Sequence, residues 1–269
     1  MPSRGIVLDR VAGLETVARS TRDPELLQPT GGASMTGSAL DSSPSAHALV
    51  NRIVRAYDDP LVRAYCRVRF AILRQRFLFE IGQYLPSAGR VLDVGCGFGL
   101  FALYFAIRIP TIRIQGFDLS EYRVALAQRA AAKLGVENAE FQVGDAAGFR
   151  FDQPISAAYM LDLIHHIPER SVAPLMATIA ANLSAGGRLL LKDVEGSPSH
   201  KLAFTWLLDK AMDWRAPVRY WTPEEVQQML ESLGFEVHRH RMIDYLPYPH
   251  ILYIGTRRTP AGDVQRGAE

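Results

Sequence analysis

The spacing of hydrophobic positions along this chain changes character as it goes. Between Ala46 and Tyr57 the apolar residues recur at helical intervals. Leu49, Ile53 and Ala56 share one face, with Val50, Val54 and Tyr57 beside it, which predicts an amphipathic helix. Asp59-Pro60 then reads as an N-cap followed by proline at the first helical position. It opens a second helix that is expected to run to Leu85, before Pro86. From Arg90 the pattern shifts to short apolar runs. "RVLDVG" reads as a strand, "FGLFALYFAIRI" as a buried helix and "IRIQGFDLS" as a second strand. Ser120 can cap a helix from Glu121 to Leu134, and Gly135 can stop it. "AEFQVGDA" and "ISAAYMLD" read as strands three and four. A helix from Pro168 to Asn182 and a fifth strand, "GRLLLKD", follow. Thr222-Pro223-Glu224-Glu225 opens a further helix with the residues of a capping box, and Gly234 ends it. "FEVHRHRMI" and "HILYIGT" are two closing strands, expected to be antiparallel at the sheet edge.

Strands alternating with helices of this length mean parallel βαβ units and a three-layer α/β sheet. Such sheets bind ligands at the carboxyl ends of their strands. Two stretches leave the pattern. Residues 1–45, including "QPTGGASMTGSALDSSPS", are poor in large apolar side chains and read as a flexible tail. Residues 257–269 read the same way. The remainder divides into N-terminal helices over 46–86, acting as a cap, and a main domain over 87–256. That domain carries a helical insertion at 196–221, which holds all three tryptophans, 206, 214 and 221.

Composition narrows the partners. The 269 residues are 48% hydrophobic with a net charge of +2, so one sizeable core is expected and nothing global calls for nucleic acid. Cys66 and Cys96 are too few for a metal cage. No leader or membrane-spanning run is visible, so a cytoplasmic protein is expected. Seven arginines, 52, 55, 63, 67, 69, 74 and 76, precede the sheet. They fit a solvated face with buried stems, or a patch for an anionic substrate or membrane surface.

The candidate chemistry starts at "VLDVGCGFGL", Val91 to Leu100. A dinucleotide loop asks for G-x-G-x-x-G, whereas Gly95, Gly97 and Gly99 give G-x-G-x-G. Asp93 stands just ahead of them. It would repel a pyrophosphate and attract an ammonium or sulfonium. Asp118, at the end of strand two, can accept both hydroxyls of a ribose. Asp145, in "GDAA", can accept from an exocyclic adenine amine. The strand ends therefore suit, in order, a charged amino-acid part, a ribose and an adenine.

The stretches "VLDVGCGFG", "GFDLS", "GDA", "YMLDLIHHIP" and "LSAGGRLLLKD" together resemble the class I S-adenosylmethionine-dependent methyltransferases. The likeness covers roughly residues 88–193 and extends through "LGFEV" and "HILYIG". It implies a three-layer sandwich around a mostly parallel, seven-stranded Rossmann-like sheet whose last strand is antiparallel. S-adenosyl-L-methionine is the implied cofactor. Gly95, Cys96 and Gly97 would wrap its methionine part, with Asp93 behind and Gly99 closing the turn. Asp118 and Leu119 would hold the ribose end, Asp145 and Ala146 the adenine, and Leu161 would lie near the sulfonium.

Methyl transfer is an in-line displacement for which proximity and alignment supply most of the rate. A general base is needed only when the acceptor starts protonated. "LDLIHHIPE" offers His165 and His166, whose imidazoles titrate near neutrality. Similar enzymes of the phosphobase type use the histidine that aligns with His166. The Asn/Asp-Pro-Pro-Tyr/Phe signature of nucleobase amine methyltransferases is absent here, which points away from nucleic acid. Trp206, Tyr57 and Tyr65 are candidates for the acceptor pocket. The expected function is transfer of a methyl group to a small-molecule or lipid-like acceptor. A non-catalytic cofactor-binding accessory protein and a methyltransferase acting on a macromolecule are the alternatives.

Overall fold

The computed structural model describes residues 45–148, 153–194, 219–242 and 250–259. All of the expected N-terminal tail except Ser45, and most of the insertion, with Trp206 and Trp214, lie outside them. So do residues 260–269 of the expected C-terminal tail.

Local signals set the helix starts. The Ser45 side chain accepts from the Ala48 N–H and opens α1, Ala46–Ala56. Asp59 accepts from the N–H groups of Leu61 and Val62, with Pro60 first in α2, Pro60–Gly82. The α2 helix stops three residues short of the expected Leu85. There Tyr84 and Leu85 donate to the carbonyls of Ile81 and Gly82, a tight turn that still buries Leu85. The alternating core follows: β1 (Gly89–Val94), α3 (Leu100–Arg108), β2 (Ile112–Asp118), α4 (Glu121–Leu134), β3 (Ala139–Val143), β4 (Ile155–Leu161), α5 (Glu169–Asn182) and β5 (Leu183–Val194). Ser120 caps α4 and Gly135 ends it in the left-handed conformation, φ 67°. The next helix, α6 (Pro223–Ser232), opens with a complete Thr222–Glu225 capping box. Strands β6 (Phe235–Arg241) and β7 (His250–Arg257) close the chain of elements.

The seven strands lie in the order β3-β2-β1-β4-β5-β7-β6. All pairs are parallel except β5–β7 and β7–β6. The chain winds outward from β1 through β2 to β3, then returns to β4 on the other side. The topological switch point therefore falls between β1 and β4, where α/β sheets bind ligands. Arg257, expected in the C-terminal tail, is instead the last residue of β7 and pairs with Phe235.

Alternation along the strands feeds two cores. Val91, Ile112, Tyr159, Leu190 and Leu252 pack beneath the first four helices. Leu92, Phe117, Met160, Leu191 and Tyr253 pack beneath α5 and α6. Adjacent residues at a strand end thus face opposite layers, which separates the two charged groups described next.

Candidate functional site

The glycine turn is shaped by sterics before any ligand is considered. Gly95, Gly97 and Gly99 all have positive φ, 74°, 54° and 74°. A Cβ on Gly95 would stand 2.6 Å from Leu163 Cδ2, and one on Gly99 would stand 2.7 Å from the Phe141 ring. At Gly97 the nearest side-chain atom is Asp118 Oδ2, 4.0 Å from the position of a Cβ. The first and third glycines are therefore required by packing. The middle one bends the backbone beside open space.

Asp118 organises this turn. Its Oδ2 accepts from the Gly97 N–H at 2.9 Å and its Oδ1 from the Ser120 N–H at 2.9 Å. Its carbonyl accepts from Gly144, which ties in the loop after β3. In that loop Asp145 is exposed and accepts from Ala147, while Ala146 is buried. Leu119 is 76% exposed beside Asp118. The groups expected to hold a methionine part, a ribose and an adenine thus stand along the adjoining ends of β1, β2 and β3.

Asp93 lies behind the turn, 4% exposed, and accepts from the Tyr159 hydroxyl at 2.9 Å. Burial pushes its carboxyl up to about 7. The Tyr159 bond works against that shift, and the charge of Asp118 adds to it. Cys96 is buried too, and burial drives its thiol far above the ordinary range. It is a space-filler rather than a nucleophile at neutral pH.

The N-terminal helices reach the same turn. Tyr57, proposed from the sequence as a pocket residue, is buried, and its hydroxyl donates to the Phe98 carbonyl at 2.8 Å. It clamps the glycine turn instead of lining open space. Tyr65 is half-buried, edge-on to the Phe98 ring at 5.5 Å. Phe98 is thereby fixed between α1, α2 and Tyr122 of α4.

Two charged groups sit at the ends of β4 and β5, one toward each layer. On the α5 side, His165 is 2% exposed and pairs through Nδ1 with Asp193 Oδ1. Its backbone N–H donates to Asp193 Oδ2 at 3.3 Å. Tyr220 stacks near-parallel on the His165 ring at 5.9 Å, and the His166 ring centre lies 4.0 Å away. His166 itself is half-buried. On the α2 side, Asp162 receives both Lys192 Nζ and the Arg69 guanidinium. Burial pushes the Asp162 carboxyl up, but Lys192 and then Arg69 and His250 outweigh it and hold it well below the usual carboxylate range. Asp162 adopts φ 56°, a left-handed conformation that Asp tolerates better than most residues. Leu161, half-buried, ends β4 immediately before it.

Sequence reasoning missed Asp193, Lys192, Arg69 and Tyr159 as members of this site. Asp193 carried a signal, since it stands one residue from the end of the fifth strand, as Asp93 does in the first, while Asp118 ends the second. Lys192 carried another, as a lone cation in an apolar run. Among the described residues no group of three His, Cys, Asp or Glu could hold a metal ion.

The order 3-2-1-4-5-7-6, the glycine turn at the switch point and the acids at successive strand ends define a nucleoside-binding α/β domain that suits a cationic cofactor. The family model for a methyltransferase domain matches residues 64–240, and the chain belongs to the class I S-adenosylmethionine-dependent methyltransferases. It is 28% identical over 190 residues to a ubiquinone biosynthesis O-methyltransferase of Dinoroseobacter shibae, covering 63% of this chain and 71% of that protein. It is 29% identical over 153 residues to a demethylspheroidene O-methyltransferase of Rhodobacter capsulatus, covering 56% of this chain but only 37% of that protein. Its fold is shared with magnesium protoporphyrin IX methyltransferase of Synechocystis PCC 6803, solved with bound SAH. There the TM-score is 0.55 at 21% identity, covering 78% of this chain and 93% of the other.

Proposed function

We propose that this chain transfers the methyl group of S-adenosylmethionine to a hydroxyl of a small-molecule or lipid-like acceptor. The observation that carries the reading is the His165–Asp193 pair at the ends of β4 and β5, beside a turn that Asp118 holds ready for the cofactor. Of the two O-methyltransferases compared above, one is named for demethylspheroidene and the other for ubiquinone biosynthesis, which supports a small-molecule acceptor.

When bound, the cofactor supplies a methyl group already activated by its sulfonium. The residues of this chain do the rest. The Gly95–Gly99 turn and buried Asp93 accommodate the charged amino-acid end, Asp118 accepts from the ribose, and Asp145 with Ala146 bounds the adenine. Leu119 and Leu161 offer apolar surface on either side. Asp193 accepts from the proton-bearing Nδ1 of His165 and so leaves Nε2 as the basic nitrogen. That nitrogen takes the acceptor's proton, directly or through the adjoining His166, as the methyl–oxygen bond forms. Tyr65 and Trp206 are the remaining proposed acceptor contacts.

The test is transfer from methyl-labelled S-adenosylmethionine to a panel of hydroxylated lipid-soluble and water-soluble aromatic acceptors, alongside calorimetry of the cofactor. Cofactor binding with label recovered on an acceptor oxygen is the expected result. Binding without transfer to any acceptor class returns the chain to the accessory-protein reading. Binding of NAD in place of S-adenosylmethionine sinks both.

A further inference from the structure

The outward face of α2 is apolar where a solvent-facing helix is ordinarily polar. Leu61, Ala64, Val68, Ala71 and Phe79 are all exposed, Leu61 by 78%, Val68 by 58% and Phe79 by 75%. At about 100° per residue they fall in one stripe about 80° wide, at whose middle the sequence also places Gln75, a residue whose side chain lies outside those described. The opposite face, with Val62, Cys66, Phe70, Phe77 and Ile81, is buried in the core. Among its described side chains the helix is therefore apolar on two sides, and core packing accounts for only one. Single exposed apolar residues are ordinary, but an aligned stripe of this length marks an interaction surface.

The charges beside the stripe identify its partner. Arg67 and Arg76 are exposed, one along each edge of it. The helix carries five arginines and a single acid, Glu80. Glu80 is engaged with His240 of β6 at 2.5 Å. Asp59, just ahead of the helix, is occupied by its cap and by the Tyr122 hydroxyl. Positive charge thus borders the apolar stripe with no acid of the helix free to offset it. Pairing with α2 of a second copy would set these arginines against their own kind. A surface with an apolar interior and anionic headgroups satisfies both features at once.

We propose that α2 docks this chain onto an anionic lipid surface. Leu61, Val68 and Phe79 enter the acyl boundary, and Arg67 and Arg76 reach the phosphates. The same helix carries Arg69, which reaches Asp162 at the end of β4. The docked face and a wall of the candidate site are therefore parts of one rigid element. Docking itself does not depend on the identity of the methyl acceptor.

The test is flotation of the full chain with vesicles of phosphatidylcholine alone or of phosphatidylcholine with phosphatidylglycerol. The chain is expected to float with the anionic vesicles, and less so as salt rises. Val68→Ser with Phe79→Ser lowers the partition coefficient about tenfold or more. Arg67→Gln with Arg76→Gln lowers it about tenfold or more on anionic vesicles only. All four positions are exposed, so thermal melts of both variants should match the parent chain and exclude misfolding. Equal partition onto both vesicle types overturns the proposal, as does a serine variant that floats like the parent. A dimer by light scattering that the serine pair converts to monomer assigns the stripe to a second copy instead.

Discussion

Replacing Asp93 by asparagine should stabilise the cofactor-free protein above neutral pH and fail to do so in acid. The unfolded carboxyl titrates near 3.9, whereas burial lifts the folded one to about 7. Between those values the folded chain keeps a proton that the unfolded chain has released, so stability falls as pH rises through this window. A gap of about three pH units corresponds to about 4 kcal/mol once pH exceeds 7. The asparagine side chain cannot ionise, and its carbonyl can still accept from the Tyr159 hydroxyl. Its new amide N–H groups set about 1–3 kcal/mol against the gain if they find no partner. The net benefit at about pH 8.5 is then about 1–3 kcal/mol, or a rise in Tm of about 2–12 °C. The assay is a set of thermal melts of parent and variant at about pH 5, 7 and 8.5. Taking the difference at each pH cancels the other titrating groups. A difference that stays flat with pH would refute the titration of Asp93 near neutrality. A cationic cofactor stabilises the Asp93 anion, so S-adenosylmethionine should bind the parent more tightly as pH rises through 7, and the variant should show no such slope.

Other substitutions probe the rest of the site. Asp118→Ala removes the acceptor for the Gly97 N–H, and calorimetry should show cofactor affinity reduced about tenfold or more; unchanged affinity would remove Asp118 from the ribose role. His165→Ala, and Asp193→Asn more mildly, should depress kcat while leaving cofactor binding largely intact. Full turnover in His165→Ala and His166→Ala alike would end the acid–base proposal. Asp162→Asn leaves Lys192 buried without its counter-charge and should cost about 3–5 kcal/mol, read as a lower urea midpoint at unchanged slope. The Asp162 carboxyl is held below its unfolded value, so its contribution is present above about pH 4 and is lost as pH falls further.

What the sequence made legible was local. The helix Glu121–Leu134 matched residue for residue because Ser120 and Gly135 mark its ends through their own backbone chemistry. The Thr222–Glu225 capping box did the same for α6. Where the terminal signal stood beyond the true end, as Pro86 does for α2, the pattern ran past the boundary. The buried Leu85 prolonged the helical period of α2 into a turn. Strand β5 begins at Leu183, ahead of the expected Gly187, because the small residues in "LSAGG" hide a stretch paired with Ile155. The cofactor acids were readable because each falls within two residues of a strand end. The Arg69–Asp162–Lys192 group was not, since its members meet only when α2, the end of β4 and β5 are brought together. Tyr57 carried the same ambiguity in reverse. An aromatic at a helix end looks identical in sequence whether it faces a ligand or holds a backbone carbonyl.

The position of β7 has a consequence for how this protein is made. Lys192 and Asp193 lie on β5, whose second edge is covered only by β7, paired from Arg188–Thr256 through Val194–His250. Until that late segment threads between β5 and β6, the strand bearing the histidine's partner is an open edge with exposed hydrogen-bonding groups. The contact spans a long stretch of chain, so it is slow to form relative to local helices. The cofactor turn at β1 and β2 can therefore assemble while the proposed proton-handling half is still unfinished. A chaperone or a lipid surface that shelters the β5 edge would act on yield, through the folding order, rather than on the chemistry of the finished enzyme.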